Sequence, residues 1–188
     1  MKPNPGEVLH FSEDPSITVF HPHVAATARQ REPYVWAVDA ANSPSYWFPR
    51  QCPRAMAWVT PTTSAADRRA VLGAGRERRV HAVEYAWAER FLTARLYAYR
   101  LPAAEFAPFG GPEPHAWVAT RSVTPLGPPE PVTGLLALHR EADIQLRFVN
   151  DLREFWDAVT ASGLGFSGIR LRNAAPPSDR ASDPAPAP

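Results

Sequence analysis

Arg79-Val80-His81-Ala82-Val83-Glu84-Tyr85 is followed, after the short stretch Trp87–Thr93, by Arg95-Leu96-Tyr97-Ala98-Tyr99-Arg100-Leu101-Pro102. The two runs are rich in β-branched and aromatic residues and read as strands. In the first, Val80, Ala82 and Val83 stand against Arg79, His81 and Glu84. In the second, Leu96, Ala98 and Arg100 stand against Tyr97, Tyr99 and Leu101, and Pro102 closes the run. The stretch between them fits a short helix or a wide turn.

The same pattern continues on both sides. Toward the N-terminus, Leu9–Phe11 opens a short strand that Ser12-Glu13-Asp14-Pro15 stops, because these residues favour turns through side-chain hydrogen bonds and a fixed φ. Tyr34–Asp39 and Ala55–Thr60 read as further strands, with Pro49 and Pro53 excluding a long helix between them. Ser64-Ala65-Ala66-Asp67 resembles a capping box and predicts a short helix to about Leu72, ended at Gly73. Toward the C-terminus, Pro108 to Pro114 reads as a loop and Trp117–Val123 as a strand. Thr133 to about Ala142 reads as a helix and Ile144–Val149 as a strand. Asn150 or Asp151 then caps a helix in which Leu152, Phe155, Trp156 and Val159 form one apolar stripe. Phe166–Leu171 adds a short terminal strand or extended segment. Many short strands with few helices, out of regular alternation, predict an α+β fold. The expected organisation is one globular domain over residues 1–173. Residues 174–188, rich in Ala and Pro, bury too little to offset the entropy of ordering and form a disordered tail.

Composition narrows the function classes. A chain of 188 residues with net charge +1 has no strong field for nucleic acid or an anionic membrane. Cys52 is the single cysteine, so no internal disulfide framework exists. Met1–Glu7 lacks the apolar core of a signal peptide, and no apolar run reaches membrane-spanning length. These readings lead to an expected cytoplasmic protein without a membrane partner. The six Trp and nine Phe supply large anchors for a core or a pocket.

Several chemical motifs are missing. Gly73-Ala74-Gly75 lacks the third glycine and the strand–turn–helix setting of a phosphate loop. His21 and His23 have no evident third partner, so no metal site is expected. Cys52 reads as buried rather than reactive. Arg50 and Arg54 sit on a proline-stiffened segment after Tyr46-Trp47-Phe48, where arginines suit phosphate or carboxylate recognition; solvated charges fit equally well. Glu84 sits among apolar residues and reads as a paired structural carboxylate. Glu84 and His81, three apart on one strand, lie on opposite faces and make a poor hydrolase pair.

Two resemblances add to this. Leu9–Ile17, Val35–Asp39, the Phe48-Pro49-Arg50-Gln51-Cys52-Pro53-Arg54 string and Phe166–Asn173 together resemble an uncharacterised bacterial family. The order of segments over roughly residues 8–132 is also similar to the ADP-ribosyltransferase-like fold, with its split mixed or antiparallel sheet. The matching strings are Leu9-His10-Phe11-Ser12, Tyr34-Val35-Trp36-Ala37, Arg79–Glu84, Arg95–Pro102 and Trp117–Pro125. A helix–strand–helix extension from about residue 133 would complete the chain.

That second resemblance implies NAD as cofactor. His10 would hydrogen-bond a ribose hydroxyl, and Trp36 or Tyr34 would stack on nicotinamide. Arg50 or Arg54 would hold the diphosphate, and a carboxylate at Glu113 would stabilise the ribosyl cation. Glu113 is displaced from the usual acidic position, and Trp36 replaces the commoner Tyr. Both departures fit a binding domain without transfer activity, or chemistry like that of NAD-dependent RNA 2′-phosphotransferases. The rival class is a non-catalytic protein-interaction domain, which calls for an exposed apolar patch instead of a convergent cleft.

Overall fold

The computed structural model describes residues 1–24, 32–111 and 114–176. In chain order the strands and helices are β1 Glu7–Ser12, β2 Val35–Ala37, β3 Arg54–Trp58, α1 Ala65–Leu72, β4 Arg79–Glu84, α2 Ala88–Thr93, β5 Leu96–Pro102, β6 Ala107–Phe109, β7 Ala116–Ala119, β8 Glu130–Val132, α3 Leu135–Glu141, β9 Ile144–Val149, α4 Leu152–Thr160 and β10 Gly165–Ile169. The fold class is α+β, with mixed and antiparallel sheets and few helices. The described residues divide into two compact units. Met1–Gln51 and Glu89–Asp143 form the first; Cys52–Ala88 and the chain from Ile144 form the second. Among the described residues no helix is long and apolar enough to cross a membrane.

The first unit holds two three-stranded antiparallel sheets, β1-β5-β8 and β2-β7-β6. They meet where Leu9 and Val38 exchange two backbone hydrogen bonds, each 2.8 Å long. Val8, Phe20, Val35, Ala37, Tyr99 and Leu101 belong to its core. Tyr99 is fully buried, and a buried phenol needs partners for its hydroxyl. Its hydroxyl donates to the Asp14 carbonyl at 2.6 Å and accepts from the Ile17 amide at 3.1 Å. The predicted Ser12–Pro15 turn is thus pinned to β5. Within it, the Asp14 carboxylate accepts from both the amide and the hydroxyl of Ser16. Arg100 bridges β1, β5 and β8 through ion pairs to Glu7 and Glu130.

The second unit is built on the mixed sheet β10-β3-β4-β9. β4 and β9 run parallel; the other pairs are antiparallel. Val71 and Leu72 of α1 and Val159 of α4 pack on Ala57 and Val80. The cap predicted for α1 forms: the Asp67 amide donates to the Ser64 hydroxyl at 3.0 Å. α4 is capped by Asp151, whose Oδ1 accepts from the Arg153 and Glu154 amides. At Gly165 an added Cβ would collide with the Trp58 indole, so a side chain there forces the ring to shift. On the face of β4 away from α4, Arg79 lies 5.3 Å from the centre of the Trp58 ring and donates from Nε to His81 Nε2 at 2.8 Å. Burial lowers its pKa to about 10, so it stays charged at neutral pH.

Two strands were not foreseen. β6 contains Pro108 and β8 contains Pro131, and both strands lie at sheet edges. A proline there costs no ladder bond when its nitrogen faces away from the sheet, so the punctuation that reads as loop is compatible with strand. The strand expected over Trp117–Val123 is shorter, ending at Ala119, with Val123 paired separately to Phe20. Ala174 and Ala175, the first residues of the expected tail, are held in place. Ala174 is buried with Ala55, Ala82 and Leu152, and the Ala175 amide donates to the Glu84 carboxylate at 3.0 and 3.1 Å.

Candidate functional site

His10 and Trp36 converge in the first unit. β1 and β2 lie side by side through the Leu9–Val38 bridge, which brings the next residue of one strand against the other. His10 Nδ1 is 2.7 Å from the Trp36 carbonyl oxygen. A carbonyl only accepts, so Nδ1 carries the proton, and in the neutral ring Nε2 is left as the lone-pair nitrogen. Burial holds the pKa of His10 below its ordinary value; the Trp36 carbonyl opposes this, and the charges of His23 and Arg50 add to the lowering. The ring also packs on Phe20, 4.6 Å between centroids. The sum is an oriented, neutral imidazole beside a cationic side chain.

A recess of about 50 Å³ opens against this pair. His10, Trp36 and Tyr46 line it together with the aliphatic Leu9 and Val38. It has room for a water molecule or a single polar group. Trp36 is also one corner of an aromatic cluster. Its ring meets Phe109 edge-on at 5.1 Å and Tyr34 edge-on at 5.9 Å, and Tyr34 and Phe109 are 5.6 Å apart. The Trp36 indole N–H is buried and has no hydrogen-bond partner among the described residues. A buried donor left unmade costs about 1–3 kcal/mol, so it calls for an acceptor.

The other expected residues fall as follows. Arg50 is exposed, and its backbone amide donates to Glu13 Oε1 at 3.0 Å, which ties the Phe-Pro-Arg segment to the turn after β1. Arg54 belongs to the second unit, on β3. It is 4% exposed, and its Nη1 donates to the Cys52 carbonyl at 3.1 Å. Glu113 lies outside the described residues. Cys52 is fully buried. His21 Nδ1 is 2.8 Å from the Ser122 hydroxyl, and no group of three or more metal-ligating side chains occurs among the described residues.

Three participants escaped the reading of the sequence. Tyr46 lines the recess, Glu13 anchors Arg50, and His23 adds its charge to the field at His10. Only Tyr46 carried a signal, as part of the aromatic run before Arg50. The other two act through contacts that no local pattern encodes.

No curated protein and no solved structure matches the chain. A family model matches residues 9–174, spanning both units and every residue of the recess. The chain therefore belongs to that family, DUF6886, a family of unknown function.

Proposed function

We propose that the first unit binds NAD or a related nucleotide, with one ligand group seated in the His10–Trp36 recess. The observation that carries the reading is the His10 ring itself. One of its nitrogens is spent on the Trp36 carbonyl, and its basic nitrogen is kept neutral. Such a group accepts a hydrogen bond from a hydroxyl without competing for the proton. A ribose hydroxyl is also an acceptor, which the unpartnered Trp36 indole N–H calls for. The faces of Tyr34 and Trp36 suit a nicotinamide or adenine ring, and the exposed Arg50 suits the diphosphate. The recess is too small for a nucleotide. The ligand would lie across the surface with one hydroxyl inserted. Two small antiparallel sheets joined at Leu9–Val38 support the split-sheet, ADP-ribosyltransferase-like reading. Bound NAD would supply an activated ADP-ribosyl group, and transfer of that group is the activity to assay once binding is established.

The test is a thermal titration of the full chain with NAD, alongside His10→Gln and Trp36→Phe, both chosen to preserve packing. Saturation at about 100 times the dissociation constant adds roughly 2.7 kcal/mol, or about 5–10 °C for a chain of this size. Both variants should lose most of that shift. A folded wild-type protein that shows none up to millimolar NAD overturns the reading. The protein-interaction alternative would then take its place.

A further inference from the structure

A second concavity lies in the other unit. β4 and β9 are parallel and end side by side, Glu84 opposite Val149. From there the chain runs through Asn150 and Asp151 into α4. In open α/β sheets, ligands bind in the crevice beyond the carboxyl ends of parallel strands, and the end of this one parallel pair is the corresponding position. An open groove of about 490 Å³ occupies that position, lined by Tyr85, Phe148, Asn150, Asp151, Glu154 and Phe155. Its volume is in the usual range for a binding site.

The lining selects the ligand class. Tyr85 is 60% exposed, and its ring stacks on Phe148 at 5.9 Å with the planes 30° apart. One face of an aromatic platform is thus supported from beneath, and the residue is more than half exposed. The first amides of α4 are already taken by Asp151, so the helix end offers an anion little. The groove instead carries the Asp151 and Glu154 carboxylates, and none of the described residues that line it is a lysine or arginine. An aromatic face beside carboxylates attracts a cation. A planar guanidinium satisfies both at once, since it stacks on the ring and forks to a carboxylate; an ammonium is compact and more strongly hydrated. The groove is open rather than enclosed, which suits a side chain presented on a peptide.

We propose that this groove binds an arginine side chain on an extended segment of a partner protein. The test uses the full chain, isotopically labelled, titrated at low ionic strength with a short Gly/Ser peptide carrying one central arginine. The same peptide with citrulline, which is nearly isosteric but neutral, serves as control. Saturable shifts should appear at the amides of residues 148–155 and of Tyr85, and citrulline should abolish them. Tyr85→Ala should weaken binding by about fivefold, the value of an exposed cation–π contact. Asp151→Asn keeps the helix cap but removes a charge, and should weaken binding without loss of thermal stability. Equal shifts with citrulline, an unchanged affinity in Tyr85→Ala, or no saturable shift at low millimolar peptide would each overturn the proposal. So would stronger binding of a peptide copying residues 176–188, which would assign the groove to the end of this chain.

Discussion

At the residue scale, His10 ties folding to the site. Burial is the main force lowering its pKa below the ordinary 6.5. The unfolded chain therefore binds a proton here more readily than the folded one, and stability rises with pH across this group's titration. The contribution is present in full above about pH 6.5 and is lost as the pH falls below it, toward the folded pKa. His10→Gln removes this dependence. The melting temperature of the wild type should fall further between pH 7.5 and 5.5 than that of His10→Gln, measured in the same buffers. Equal falls would mean that the imidazole is solvated. The sequence marked His10 as the end of a strand before a turn, and it marked Trp36 as a strand aromatic. Their meeting, across 26 positions, left no signal in the residues around either of them. A contact of that span is set by how strands pair, and pairing leaves no local pattern. Glu13 stayed hidden for the same reason, because its partner is a backbone amide 37 positions away.

At the scale of the element, local chemistry was readable wherever the element satisfied itself. The cap at Ser64 and the apolar stripe of α4 are examples, and β9 runs over the expected residues, Ile144–Val149. Ser64→Ala should cost about 1 kcal/mol, the usual value of an N-cap, by urea denaturation. Gly165→Ala should cost more, about 1–3 kcal/mol for an overpacked site, because the new methyl group meets the Trp58 ring. The order of these two losses is the check; a larger loss at Ser64 would place Trp58 away from the strand. What local chemistry could not show is the strap at the chain end. β3 and β4 present alanines at Ala55 and Ala82, and this small-residue floor leaves room for Ala174. Glu84, buried on the same face, finds its partner in the Ala175 amide. Glu84→Leu removes the acceptor and should cost about 1–3 kcal/mol, while Glu84→Gln keeps one carbonyl oxygen and should cost less. Hydrogen exchange at Ala175 should quicken in the leucine variant while amides in β3 and β4 remain protected. Unchanged exchange there would show the strap to be held by packing alone.

At the scale of the whole molecule, many short strands with few helices supported an α+β fold, but no motif fixes how many compact units a chain makes. The division follows from the path of the chain, which passes between units after Gln51, Ala88 and Asp143. Neither unit is a continuous stretch. A chain ended at Asp143 keeps all of the first unit but deprives β4 of its parallel partner and β3 of β10. It also strips α4 from Ala57 and Val80. Such a fragment should be insoluble or oligomeric on size exclusion, because it exposes both an apolar sheet face and unpaired strand edges. A monomeric, soluble fragment would show that the second unit does not depend on its C-terminal half.

The parallel pairing of β4 with β9 also sets a schedule for synthesis. About 60 residues separate the two strands in the chain. At cellular translation speeds of roughly 5–20 residues per second, β4 waits about 3–12 s for its neighbour to be made. Throughout that interval β4 has β3 on one side, and the edge that β9 will pair lies open on the nascent polypeptide. Ribosome-bound chaperones would meet the chain at that point, and slowing translation between Glu84 and Ile144 would lengthen its exposure.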